Sequence, residues 1–144
     1  MSARTRWPLP RSEAERLARA VLRAEGVRRA MVSVAFIGRQ GIRTLNRRHL
    51  GHDRATDVLA FALTPRSWVR DSGHVVIGDI YVCGPVAAAQ ARRFETTARE
   101  ELRRLVVHGV LHVLGHDHPA GSGRTMSAMW RRQESLLARF GRRR

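Results

Sequence analysis

The sequence predicts one α+β domain, a small mixed sheet of three to four strands packed with about five helices. Three observations predict it. The 144 residues suit a single domain, with no internal repeat and no Pro/Gly-rich linker to divide them. Apolar residues recur first at helical and then at strand spacing, in the order α-β-α-β-β-α-α-α. Composition is 43% hydrophobic and 27% charged, which suits a globular chain that buries roughly two-thirds of its unfolded surface.

The elements follow in order. Residues 1–11 carry Arg4, Arg6, Arg11 and two prolines without periodicity, and read as a loose arm. Ser12 opens a helix, with Glu15 three residues on completing a capping box. Ala14, Leu17, Ala18, Val21 and Leu22 form its buried face, and Gly26 ends it. The stretch AMVSVAFIG is a strand. RQGIRTLNRRHLG is a short helix with Ile42, Leu45 and His49 on one side. TDVLAFAL is a second strand, stopped by Pro65, and RSWVRDSG is a loop. HVVIGDIYVC is a third strand, in which Gly78 marks a bulge or a close backbone approach. Gly84-Pro85 starts a helix that runs to about Phe94. Thr96 or Thr97 can cap the next, from Arg99 to Leu114, and Gly115 is placed to terminate it. That helix is apolar nearly all round, so it belongs in the core. After the loop HPAGSGRT, an amphipathic helix is marked by Met126, Met129, Trp130, Gln133, Leu136, Leu137 and Phe140. Residues 141–144 form a basic tail.

Charge narrows the partner. There are 27 basic and 12 acidic residues, a formal +15, and every basic side chain is arginine. Such an excess points to a polyanion, most simply nucleic acid. Cys83 is the only cysteine, which excludes an intrachain disulfide and a thiolate-rich metal site. The basic N-terminus leads into no apolar signal segment, and no run approaches the roughly 20 residues of a membrane span. A cytoplasmic protein with no membrane partner is expected.

The chemistry concentrates in HGVLHVLGHDH, residues 108–118, which holds four of the seven histidines. On a helix, His108 and His112 lie one turn apart on one face and reach a common point. Gly115 can take the left-handed conformation that folds the chain back and brings a residue just beyond the turn toward that point. His118, rather than His116, stands where the H-x-x-x-H-x-x-G-x-x-H skeleton of zinc peptidases places its third ligand. Asp117 can hold a ligand imidazole by its far N–H. One Zn²⁺ on three neutral nitrogens keeps a position for water, whose pKa falls toward about 7. The full charge left on the ion favours an anionic substrate such as a phosphodiester. The peptidase glutamate is replaced by Gly109, which has no side chain to take a proton. No catalytic residue beyond the metal-bound water is identified.

HGVLHVLGHDH resembles the H-G-x-L-H-x-x-G-x-D-H signature of the YbeY family of metal-dependent endoribonucleases, in which the glycine is part of the pattern. LNRRHLGHDRATDVLAF resembles the family's L-N-x-x-Y-R-x-x-D-x-P-T-D-V-L-S-F block, and IGDIYVC its L-G-D-I strand. The resemblance spans roughly residues 12–140. It implies that His108, His112 and His118 hold zinc on a zincin-like helix. It also implies cleavage of single-stranded RNA, 3′-end maturation of small-subunit ribosomal RNA, and ribosome quality control. The family's tyrosine-arginine pair falls on His49 and Leu50, its proline on Ala55 and its serine on Ala60. Arg47, Arg48 or Arg54 can stand in for the missing arginine, since guanidinium suits phosphate. Asp57 and Asp79 match family positions. Two other readings stay open: an RNA-binding ribosome assembly factor with a structural zinc, and a zincin-like peptidase.

Overall fold

A computed structural model of the chain describes residues 7–69, 73–116 and 127–141. The elements are α1 (Arg11–Ala24), β1 (Ala30–Ile37), α2 (Arg39–Leu50), β2 (Val58–Ala62), β3 (Val76–Cys83), α3 (Gly84–Arg93), α4 (Ala98–Val113) and α5 (Ala128–Leu136). The α+β expectation holds, with three strands among the described residues. Their order is β1-β3-β2, with β1 parallel and β2 antiparallel to the central β3. Alternation sends Val76, Ile80 and Val82 of β3 to one face, against the helical core. Cys83 goes to the other, where Ile42 of α2 and Leu59 of β2 form a smaller cluster.

Helix α4 is the axis of the core. Leu102, Leu105, Val106, Val107, Val110, Leu111 and Val113 are all at most 5% exposed. Each such burial is worth about 1.5–3 kcal/mol. The helix lies unusually close to the sheet. A Cβ added at Gly78 on β3 would stand 2.7 Å from Cγ1 of Val113 on α4, and one added at Gly109 on α4 would stand 2.7 Å from Cγ2 of Ile80 on β3. Each surface thus offers a glycine to a branched side chain of the other. The unbroken register through Gly78 decides for close approach and against a bulge.

Helix α4 begins at Thr97, whose hydroxyl accepts from the Glu100 N–H at 3.0 Å. It ends at Gly115, φ +95°, with the His116 N–H on Leu111 O and the Gly115 N–H on His112 O. That paired closure is the stop expected of a left-handed glycine. Glu13 of α1 ties the two helices together, bonding Arg99 at 2.6 Å and Arg103 at 2.7 Å. Burial pushes its carboxyl up, but Arg103 and Arg99 outweigh burial and hold it below the usual carboxylate range.

Several local expectations are corrected. The Ser12–Glu15 capping box does not form. Pro10, extended at φ −61° and ψ 145°, already starts the helix, and Ser12 lies inside the first turn. Glu15 instead pairs with Arg11 at 3.3 Å. The arm is not loose throughout. Leu9 is 1% exposed, and the Trp7 ring fills the space a Cβ on Gly84 would need. Two large apolar side chains near an open core edge gain more from burial than the chain loses in freedom. Among its described residues, the RSWVRDSG loop holds one 3₁₀ turn, Arg66–Trp68. The last helix widens to a π turn over Leu137–Gly141. Met126, residues 1–6 and the tail beyond Gly141 lie outside the described residues.

Candidate metal centre

Core packing leaves α4 a polar row made of Glu101, Arg104, His108 and His112. These residues recur at three- and four-residue spacing, so they share a face. Together they line a cleft of about 900 Å³. Its other walls come from Leu50 at the end of α2, Asp57 before β2, the C-terminal end of α3, and Trp130 and Gln133 on α5.

His108 and His112 are half-buried, and their ring centres are 4.5 Å apart. The His108 Nδ1–H donates to Gln133 Oε1 at 2.6 Å. The orientation of that amide is set by its other end, since Gln133 Nε2 donates to Glu134 Oε2 at 3.1 Å. An amide oxygen only accepts, so the neutral His108 imidazole carries its proton on Nδ1, and Nε2 is its acceptor nitrogen. Gln133 is 2% exposed, so water does not compete for the bond. This is the tautomer a metal site needs. The two imidazoles therefore fit a divalent metal of nitrogen preference. Among the described residues no three His, Cys, Asp or Glu come together as a metal set. His118 and Asp117 lie outside them. His116 points elsewhere, its Nε2 3.0 Å from Glu25 Oε1, and Glu25 also accepts from Arg132 at 2.7 Å.

Arg104 is thoroughly bonded. Its Nε reaches Glu134 at 2.9 Å, its Nη1 Glu101 at 3.1 Å, and its Nη2 Glu100 at 3.5 Å. Burial opposes its charge, but Glu134 and Glu101 outweigh that and raise its pKa. For Glu101 burial wins, and its carboxyl is pushed up despite Arg104. Asp57, just before β2, accepts from Gln90 Nε2 on α3 at 3.2 Å, and both line the cleft. Asp79 is remote, accepting from Ser33 on the opposite sheet face.

A family model described as Endoribonuclease YbeY matches residues 4–141. The chain belongs to the YbeY endoribonuclease family. It is 38% identical over 139 residues to the endoribonuclease YbeY of Moorella thermoacetica, covering 92% of this chain and 88% of that one. It is 40% identical over 119 residues to that of Geobacillus kaustophilus, covering 78% and 74%. The likeness thus concerns the whole fold and not one motif. The solution structure of a Thermotoga maritima protein matches with a TM-score of 0.58 at 27% identity, over 90% of this chain and 83% of that one.

In this chain, Leu50 does line the cleft, and it is 52% exposed. The cleft wall is therefore apolar where the family pattern has an arginine. Arg47, Arg48 and Arg54 are exposed on α2 and the loop after it, and none is in the cleft lining. Arg47 pairs with Asp53 at 3.4 Å. His49 packs edge-on against Phe61, with ring centres 5.3 Å apart. Sequence reasoning did not single out the cleft's Arg104, Glu101 or Gln90, and it read Gln133 only as part of a helical stripe. The available signals were an arginine one turn before His108 and a polar residue on an otherwise buried stripe.

Proposed function

We propose that this chain is a zinc-dependent, single-strand-specific endoribonuclease. Its substrate is ribosomal RNA, and its tasks are 3′-end maturation of the small-subunit RNA and ribosome quality control in the cytoplasm. The observation that carries the reading is the His108–His112 pair opening onto the cleft, with the His108 tautomer held by Gln133. His108 and His112, with His118, would hold one Zn²⁺, and Asp117 can orient a ligand. When bound, the ion supplies Lewis-acid polarisation and a nucleophile at neutral pH. The chain's own residues do the rest. Gln133 keeps the proton at His108 Nδ1. Glu101, Glu100 and Glu134 lock Arg104 along the cleft wall. The +15 charge draws the polyanion in.

Gly109 weighs against peptide hydrolysis. Even a Cβ there meets Ile80, so a glutamate base has no room on that side of the helix. Leu50 favours a second reading, an RNA-binding assembly factor in which zinc is structural, because it removes a cation from the cleft. Zinc content and cleavage of single-stranded ribosomal RNA should be measured beside His112→Ala. The proposal expects that variant to lose both. Full cleavage by metal-free protein sinks it, and tight RNA binding without cleavage by the zinc-loaded wild type supports the second reading.

A further inference from the structure

The described lining of the cleft contains two guanidinium groups, Arg93 and Arg104. Their surroundings differ. All three nitrogens of Arg104 donate to carboxylates of Glu134, Glu101 and Glu100. Its charge is offset and each of its nitrogens already donates, which makes it a brace between α4 and α5. Arg93, the last residue of α3, is exposed and has no carboxylate or hydrogen-bond partner among the described residues. Its guanidinium carbon lies 5.5 Å from the centre of the neighbouring Phe94 ring.

Phe94 also lines the cleft and is 64% exposed, a large apolar ring that the core does not use. The backbone that presents it is held at some cost. The Thr96 N–H bonds Ala91 O and the Glu95 N–H bonds Arg92 O, so α3 closes as α4 does. Here, though, the left-handed position, φ +56°, is occupied by Glu95 instead of a glycine. Such a conformation costs an L-residue roughly 1–2 kcal/mol. Leu50, also in the lining, offers nothing to an anion.

We infer that Arg93 is the phosphate-binding residue of this cleft and that Phe94 is the platform on which a base of single-stranded RNA stacks. A guanidinium with free donors suits a phosphodiester. An exposed ring accepts any unpaired base and rejects a paired one, whose faces are already stacked. The pair thereby supplies both charge and single-strand preference at the cleft wall. This inference rests on the RNA-cleaving reading above.

The test uses zinc-loaded full-length protein and a short fluorescein-labelled single-stranded oligoribonucleotide. KM and kcat are measured on it, and equilibrium affinity on its 2′-O-methyl counterpart over a range of salt. Arg93→Ala should raise KM and Kd about tenfold or more, with kcat little changed, because the contact is made equally in ground and transition states. It should also flatten the slope of log Kd against log salt by about 0.7, one phosphate contact. Arg93→Lys should restore the slope but only part of the affinity. Phe94→Ala should weaken binding on the order of ten- to a hundredfold without altering the slope. Arg92→Ala, beside them but off the cleft lining, should stay within about twofold of wild type. Melting temperatures of all variants guard against unfolding. Unchanged KM and slope in a folded Arg93→Ala overturn the inference while leaving a cutting wild type intact. An equal effect of Arg92→Ala also overturns it, since diffuse surface charge would then suffice. A wild type that neither binds nor cuts overturns this inference and the reading beneath it together.

Discussion

Gly109 is the position where the metal motif and the fold meet, and a single methyl group tests how. In Gly109→Ala the new Cβ would stand 2.7 Å from Cγ2 of Ile80 and 3.3 Å from Cδ1. Carbon atoms in contact sit about 3.5–4.0 Å apart, so the overlap with Cγ2 is near 1 Å. Ile80 is fully buried, and its γ-methyl sits on a β-branched carbon that cannot swing aside freely. Overpacking of this kind costs about 1–3 kcal/mol, with this site at the upper end. Alanine regains about 1 kcal/mol over glycine inside a helix. The net expectation is a loss of about 1–2 kcal/mol, or roughly 3–6 °C in Tm for a chain of this size.

The assay is thermal and urea unfolding of metal-stripped protein, so that zinc affinity does not enter. The decisive comparison is the same substitution in an Ile80→Ala background. Ile80→Ala alone should cost about 2–5 kcal/mol. There the added methyl has space, the clash vanishes, and Gly109→Ala should become neutral or stabilising. A coupling of about 2 kcal/mol is expected from the double-mutant cycle. A rise in Tm for Gly109→Ala in the wild-type background refutes the reasoning, as does an equal effect in both backgrounds.

Three further outcomes follow from the same structure. Gln133→Leu should weaken zinc binding about 10–100-fold in a chelator competition, because the His108 Nδ1–H loses the acceptor that fixes its tautomer; unchanged affinity would show that Gln133 merely fills space. Glu95→Gly should stabilise the fold by about 0.5–1 kcal/mol in urea titration, relief of the φ +56° backbone exceeding the entropy cost of glycine; a destabilised variant would show that the Glu95 side chain itself contributes to stability. Glu13→Gln should lower stability at neutral pH. The wild-type carboxyl titrates below its unfolded value of 4.5, so its contribution is present above that value and is lost as pH falls through the lower folded-state pKa. The two proteins should therefore converge in acid, and a difference that persists below that pKa would assign the effect to packing.

Much of the site was legible in the sequence because it is local. Four-residue spacing on a helix puts His108 beside His112 whatever the rest of the chain does. Gly115 stops that helix because only a residue free of Cβ strain takes φ +95° cheaply. Pro85 and Thr97 mark helix starts through their own backbone chemistry. The one failed cap, at Ser12, failed because Pro10 two residues earlier offered an equally local start.

What a sequence pattern cannot carry is contact across long separations. Gln133 is 25 residues from His108, and only the packing of α5 on α4 puts its amide on Nδ1. Gly109 reads in sequence as a missing base. In the fold it is the gap into which Ile80 fits, matched by Gly78 receiving Val113. The arginines told the same story. Charge alone pointed to a polyanion, and guanidinium chemistry nominated Arg47, Arg48 and Arg54. Which guanidinium groups face the cleft depends on where α2, α3 and α4 end relative to one another. The sequence by itself determined the element order, the histidine pair and the sign of the chain's own charge, because periodicity, backbone preference and net charge are sums over neighbours. The tertiary structure alone decided the tautomer, the closeness of helix to sheet, and the choice of Arg93 and Arg104 as the cleft's cations, because those depend on surfaces that only packing brings together.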